Sequence, residues 1–165
     1  MMTSVTDRIV KQVVLRAPLA RVWRAVSQSA EFGRWFGMAI DGEFVPGVTL
    51  QARIVPTEVD AEVAAQQKAY EGLAVQLFVE QVEPVRLLSF RWHPYPVDPA
   101  EGSSVPTTLV TFQLEEANGA TRLTVSESGF DNIPVERRAK AFADNEGGWE
   151  IQTRLIARYL EHAAD

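Results

Sequence analysis

Two carboxylates and a histidine are the residues whose types best suit chemistry. The stretch TRLTVSESGF has Leu123, Val125 and Glu127 on one alternating face, and the helical stretch after Pro134 carries Glu146 on its apolar stripe. If both faces point inward, Glu127 and Glu146 meet in one interior, where a carboxylate pair could serve as acid and base. The competing reading leaves one in solvent at a strand end and pairs the other with an arginine such as Arg91 or Arg122, because ionisable groups seldom stay buried alone. His93 ends an aromatic stretch and precedes Pro94, which suits either a base at a pocket mouth or an exposed loop residue. Ser126 and Ser128 flank Glu127 without a local base, and the chain has no G-x-S-x-G elbow, metal-binding histidine pair or glycine-rich phosphate loop.

A second set of residues suits binding. The aromatics Trp35, Phe36, Phe90, Trp92, Phe142 and Trp149 either fill a core or line a cavity, with polar Glu127, Asn145, Glu146 and Thr153 lying among them. A mostly apolar cavity with a few polar anchors is what a small hydrophobic or amphipathic molecule needs. These ten residues are the expected ligand contacts, and no cofactor or metal is expected.

The elements that must hold them can be read in order. RIVKQVVLRAP is a strand closed by Pro18, Leu19, Val22, Trp23 and Val26 follow at helical spacing, and QSAEFGRWFGM is a second short helix stopping around Gly37. Six strand-like pieces follow, IDGEFV, VTLQARIV, LAVQLFVEQV, VRLLSFRW, TTLVTFQLEE and TRLTVSESGF, separated by turn signals such as the NG of Asn118 and Gly119. This is a meander with one face to be covered. PTEVDAEVAAQQKAYEG, residues 56–72, is a short helix or a mobile insertion that could act as a lid, and the proline-rich HPYPVDPAEGSSVP prevents regular pairing.

The last helix runs from Pro134 towards His162. Val135, Ala139, Phe142, Glu146, Trp149, Thr153, Ile156 and Leu160 form one stripe, while Ile151, Leu155 and Tyr159 form a second that could meet a partner or the first helices. Gly147 and Gly148 sit mid-helix, where each costs about 1 kcal/mol relative to alanine. A close approach of neighbouring backbone would account for them.

Composition narrows the classes. The 165 residues suit one domain, 1–165 with a core of about 8–162. Sixteen Lys and Arg against 22 Asp and Glu give a net charge of −6 without a basic stripe, which argues against nucleic acid. Zero cysteines exclude disulfides and thiolate catalysis, and two histidines leave little for a metal site. No apolar run suits membrane insertion, and a cytoplasmic location is expected.

The order of elements is that of the helix-grip fold, an α+β arrangement in which a curved antiparallel sheet wraps a long C-terminal helix, with two short helices after the first strand. APLARVWRAVSQSAEFGRWFG resembles the opening of the family named for the activator of the ninety-kilodalton heat-shock chaperone's ATPase, within the START-like (SRPBCC, birch-pollen-allergen-like) superfamily. EPVRLLSFRW, TRLTVSESGFDNIP and GGWEIQTRLIARYLE resemble three further stations of it, in the same order, over about residues 8–162. Thr153 stands where the family usually has leucine.

The resemblance implies a cavity between sheet and final helix, and hence binding of a small hydrophobic or amphipathic ligand. It leaves open a co-chaperone role on the heat-shock chaperone, a cyclase or hydrolase in the same cavity, and a homodimer.

Overall fold

In the computed structural model, which describes residues 8–97 and 105–162, the first strand has the expected alternation. In β1 (Arg8–Leu15), Ile9 and Leu15 are buried while Val10 and Val14 are exposed on the opposite face. Proline at position 18 then starts α1 (Leu19–Ser27), which buries Val22, Ala25 and Val26. α2 (Ser29–Phe36) buries Phe32, Trp35 and Phe36, and ends at Gly37, whose φ of 92° is a left-handed cap.

The meander follows as β2 (Met38–Asp41), β3 (Thr49–Ile54), β4 (Ala74–Glu83), β5 (Leu87–Trp92), β6 (Thr108–Ala117) and β7 (Ala120–Ser128). With β1 they make one antiparallel seven-stranded sheet, ordered β1-β7-β6-β5-β4-β3-β2. The NG turn joins β6 to β7, Asn118 and Gly119 both having positive φ, as its type requires. IDGEFV proves to be only part strand: β2 starts earlier, at Met38, and the chain leaves the sheet at Gly42. The Gly42 carbonyl accepts from the Ser29 hydroxyl at 2.6 Å, and Phe44 is buried from a loop.

The 56–72 connection contains a short helix, α3 (Ala61–Gln67), whose N-terminal amides of Glu62 and Val63 are capped by Asp60. Gln67 clips the connection to the rest, accepting from the Thr57 amide at 2.7 Å and donating to the Phe36 carbonyl at 3.0 Å. Arg158 of the final helix pairs with Asp60. Part of the proline-rich stretch, residues 98–104, lies outside the described residues.

The final helix, α4 (Val135–His162), packs against β1, α1 and α2. Its buried line differs from the expected one. Ala141, Trp149, Leu155 and Ile156 are buried and Asn145, Gly148 and Gln152 half-buried, while Val135 and Glu146 face solvent. At 100° per residue Asn145 lies about 40° from Trp149 and Glu146 about 60° away on the other side, so the inward face takes the asparagine and leaves the glutamate out.

The second stripe is not a free surface. Leu155 is buried and Tyr159 donates to Glu31 of α2 at 2.7 Å. Among the described residues no helix is long and apolar enough to cross a membrane.

Candidate functional site

Alternation along β7 directs Glu127 inward, opposite Ile9 of β1 and Val110 of β6. The carboxylate is 0% exposed, and four neutral side chains bring it hydrogen bonds. The Trp149 indole donates to Oε1 at 2.8 Å, the Trp92 indole and the Thr108 hydroxyl donate to Oε2 at 2.9 and 2.5 Å, and Asn145 Nδ2 lies 3.1 Å from both oxygens. No arginine or lysine reaches it among the described residues. A buried charge is tolerable when several donors satisfy its lone pairs. Glu127 thus ties β5, β6 and α4 to one point.

The effect is to fix the two indoles. Trp92 and Trp149 stack with ring centroids 5.7 Å apart and planes inclined by 29°, and Phe36 meets both edge-on at 6.1 and 5.9 Å. Behind them Phe32, Phe44, Phe90 and Phe112 pack into a continuous aromatic core. A gap there, between Trp35, Phe112, Trp149, Thr153 and Ile156, is too small to hold a water molecule. The deep interior between sheet and helix is therefore filled rather than hollow.

Open space begins where the aromatic core ends. A cleft of about 250 Å³ is lined by Gln51 of β3, Leu73 and β4 residues 74–76, Trp92 at the end of β5, the His93–Val97 loop and Asn145 of α4. A recess of about 90 Å³ continues the same face between Phe36, Trp92, Asn145, Gly148, Trp149 and Gln152. Trp92 and Asn145 belong to both. Among the described residues the lining carries no Asp, Glu, Lys or Arg, which suits a mostly apolar guest with a few hydrogen bonds.

The ten expected contacts divide accordingly. Phe36, Trp92, Asn145 and Trp149 border open space. Glu127 lies behind them and holds three of the four. Trp35 and Phe90 are core, the Trp35 indole donating to the Ala25 carbonyl at 2.9 Å. Phe142 packs on Phe130 instead, with centroids 5.2 Å apart. The Thr153 hydroxyl turns back to the Glu150 carbonyl at 2.9 Å.

Glu146 does not meet Glu127. It is half-exposed, 3.9 Å from Lys11, and the inward carboxylate pair does not form. Neither arginine named as a partner for these glutamates serves as one, since Arg91 pairs with Glu80 and Arg122 with Glu115. His93 does reach the pocket mouth, where its ring meets Phe78 edge-on at 6.1 Å.

Gly147 and Gly148 need a different explanation from crowding, because a Cβ on either meets nothing within 4 Å. Sequence reasoning also missed Gln152. The signal was present: Asn145, Trp149, Gln152 and Ile156 follow one another at i, i+4, i+7 and i+11.

A second, polar depression of about 750 Å³ lies on the opposite side, between α1, α2 and the end of α4. Three of its charged groups, Arg21, Arg24 and Glu31, pair with one another. Arg21 donates to Glu31 at 2.9 Å, Tyr159 donates to the same oxygen, and Arg24 stands 3.9 Å from the other. Burial pushes the Glu31 carboxyl up, but the Tyr159 hydroxyl and the Arg21 guanidinium outweigh it and hold it below the ordinary value. This network clamps three helices together.

Comparison with known proteins agrees with the architecture. A Mesorhizobium loti protein, MLL2253, is 22% identical over 96% of this chain and 99% of its own, with a TM-score of 0.70. The Aha1 protein of Colwellia psychrerythraea, solved as a dimer, is 14% identical over 96% of this chain and 98% of its own, with a TM-score of 0.65. DynU16, a protein of the dynemicin biosynthetic locus, is 25% identical over 94% of this chain, with a TM-score of 0.67. This chain spans about half of DynU16, 48% of its length.

No curated protein matches. The family model described as Activator of Hsp90 ATPase homolog 1-like protein matches residues 16–161, taking in both helices, the meander and nearly all of α4. The chain belongs to the Activator of Hsp90 ATPase homolog 1-like family and has its helix-grip fold.

Proposed function

We propose that this chain binds a small, uncharged, mostly apolar molecule in the cleft running from the end of β5 to the Asn145–Gln152 face of α4. The observation that carries the reading is a cleft of about 250 Å³, free of charged side chains among the described residues, beside indoles pinned by a buried carboxylate. Trp92, Tyr95 and Asn145 supply contact, and Glu127 supplies rigidity without touching the guest. A binding surface held in place before the ligand arrives loses less freedom on binding. The resemblance to DynU16, a protein of the dynemicin biosynthetic locus, accords with this reading.

In this reading Glu127 is a positioning residue and not an acid or base. Its oxygens are occupied by four donors and it borders neither cleft nor recess. In the helix stripe of Ile151, Leu155 and Tyr159, Leu155 is buried and Tyr159 is tied to Glu31 of α2, which speaks against that stripe as a docking face for a chaperone.

Native mass spectrometry of the purified protein, followed by denaturing extraction, tests the reading. A co-purifying molecule of a few hundred daltons, or a rise in melting temperature with small aromatic compounds, is the expected result. An empty protein whose melting temperature no aromatic, lipid or polyketide-like compound raises would overturn it.

A further inference from the structure

Gly148 makes a notch in α4 that no described residue fills. A Cβ built there meets no atom within 4 Å, yet the residue borders the recess between Asn145 and Gln152. The three fall at i, i+3 and i+7, on one helical face. A glycine in mid-helix costs stability, and no close backbone approach requires this one. What it preserves is the space.

Gln152, which borders the same recess, carries an unmet demand. Gln152 Nε2 donates to the Phe36 carbonyl at 3.0 Å, which orients the amide, and leaves Oε1 buried with no hydrogen-bond partner among the described residues. At the other end of the open space, His93 Nδ1 lies 3.4 Å from the Pro106 carbonyl oxygen. A carbonyl only accepts, so Nδ1 is the donor in this contact, and in a ring with a single proton that makes Nε2 an acceptor. That atom too is buried without a partner among the described residues. Buried acceptors are rarely left unmade, and a ligand is one way to satisfy them.

Resting on the ligand-binding reading above, we propose that the guest is a flat aromatic molecule bearing a hydroxyl or N–H donor. Its edge enters the Gly148 notch, its donor meets Gln152 Oε1, and its ring lies along Trp92. A second donor on the same molecule would satisfy His93 Nε2. The aromatic walls Phe36, Trp92 and Trp149 favour a ring, and the absence of charged side chains from the lining among the described residues favours a neutral one.

β-Naphthol and its methyl ether share a ring system and differ in one donor, so their affinities isolate that contact. Titration calorimetry on the wild-type chain should find β-naphthol bound about fivefold or more tightly than the ether. Gln152→Met, which keeps the chain's length without the acceptor, should erase the preference. Gly148→Leu should weaken both compounds about tenfold or more while raising the melting temperature. It serves as the second test should the first variant fold poorly.

Equal affinities in the wild type, a preference that survives Gln152→Met, or full binding by Gly148→Leu would each overturn this inference while leaving the cleft a binding site. Binding of neither compound by the wild type, together with an empty purified protein, would overturn both.

Discussion

Glutamine in place of Glu127 shows what the carboxylate does. Its two oxygens accept from two indole N–H groups, one on each oxygen, and an amide offers only one acceptor. Thr108 can turn its hydroxyl round and Asn145 can flip, but an indole cannot become an acceptor. Whichever way the new amide points, one buried N–H loses its partner, at a cost of about 1 to 3 kcal/mol. Urea unfolding of Glu127→Gln should show that loss, together with weaker binding of any cleft ligand, and an unchanged stability would refute the hub. The sequence makes Glu127 inward-facing by simple alternation, but its partners come from positions 92, 108, 145 and 149. Those meet only once register and helix rotation are set, which is why the sequence offered an arginine as the partner and not two indoles.

At the scale of the element, glycine shows how a correct physical rule can be attached to the wrong residues. Close backbone approach was expected at Gly147 and Gly148, where a Cβ meets open space, whereas it occurs at Gly33 in α2. There a Cβ would stand 2.1 Å from the Met38 carbonyl oxygen, backbone that cannot yield without moving β2. Gly33→Ala should therefore destabilise by about 2 kcal/mol or more. Gly147→Ala should instead stabilise by up to about 1 kcal/mol, and thermal unfolding distinguishes the two signs.

Helix ends and the NG turn were legible because their signals are local. The rotation of α4 was not, since over 28 residues a small error in phase exchanges Asn145 for Glu146. The clamp between α1, α2 and α4 has its own signature in acid. Glu31 is held below its ordinary value of 4.5, so its contribution is complete above that pH and disappears as pH falls through the lower folded-state value. Calorimetry below about pH 4.5 should show the wild type losing melting temperature faster than Glu31→Gln, and parallel curves would remove the clamp's role.

For the whole molecule, the order of elements was the strongest message in the sequence. Strand, two helices, meander and long helix are each short-range patterns, and together they select one architecture, which the family match and the fold confirm. The cavity was harder to see. Large aromatics that could line a void instead interlock to fill it, and how much they fill depends on packing that spacing does not encode. What remains open lies at the edge, between the end of β5, the His93–Val97 loop and one face of α4. That location is the central claim about function.

The tryptophan indole N–H resonances of isotope-labelled protein, followed during titration with β-naphthol, test it most directly. Trp92 and Trp149 border the open space, while Trp23, on α1, borders neither the cleft nor the recess and serves as an internal control. Saturable shifts of the Trp92 and Trp149 signals with Trp23 unmoved are the predicted result. Binding that moves Trp23 and leaves Trp92 and Trp149 in place would contradict the account and put the ligand elsewhere.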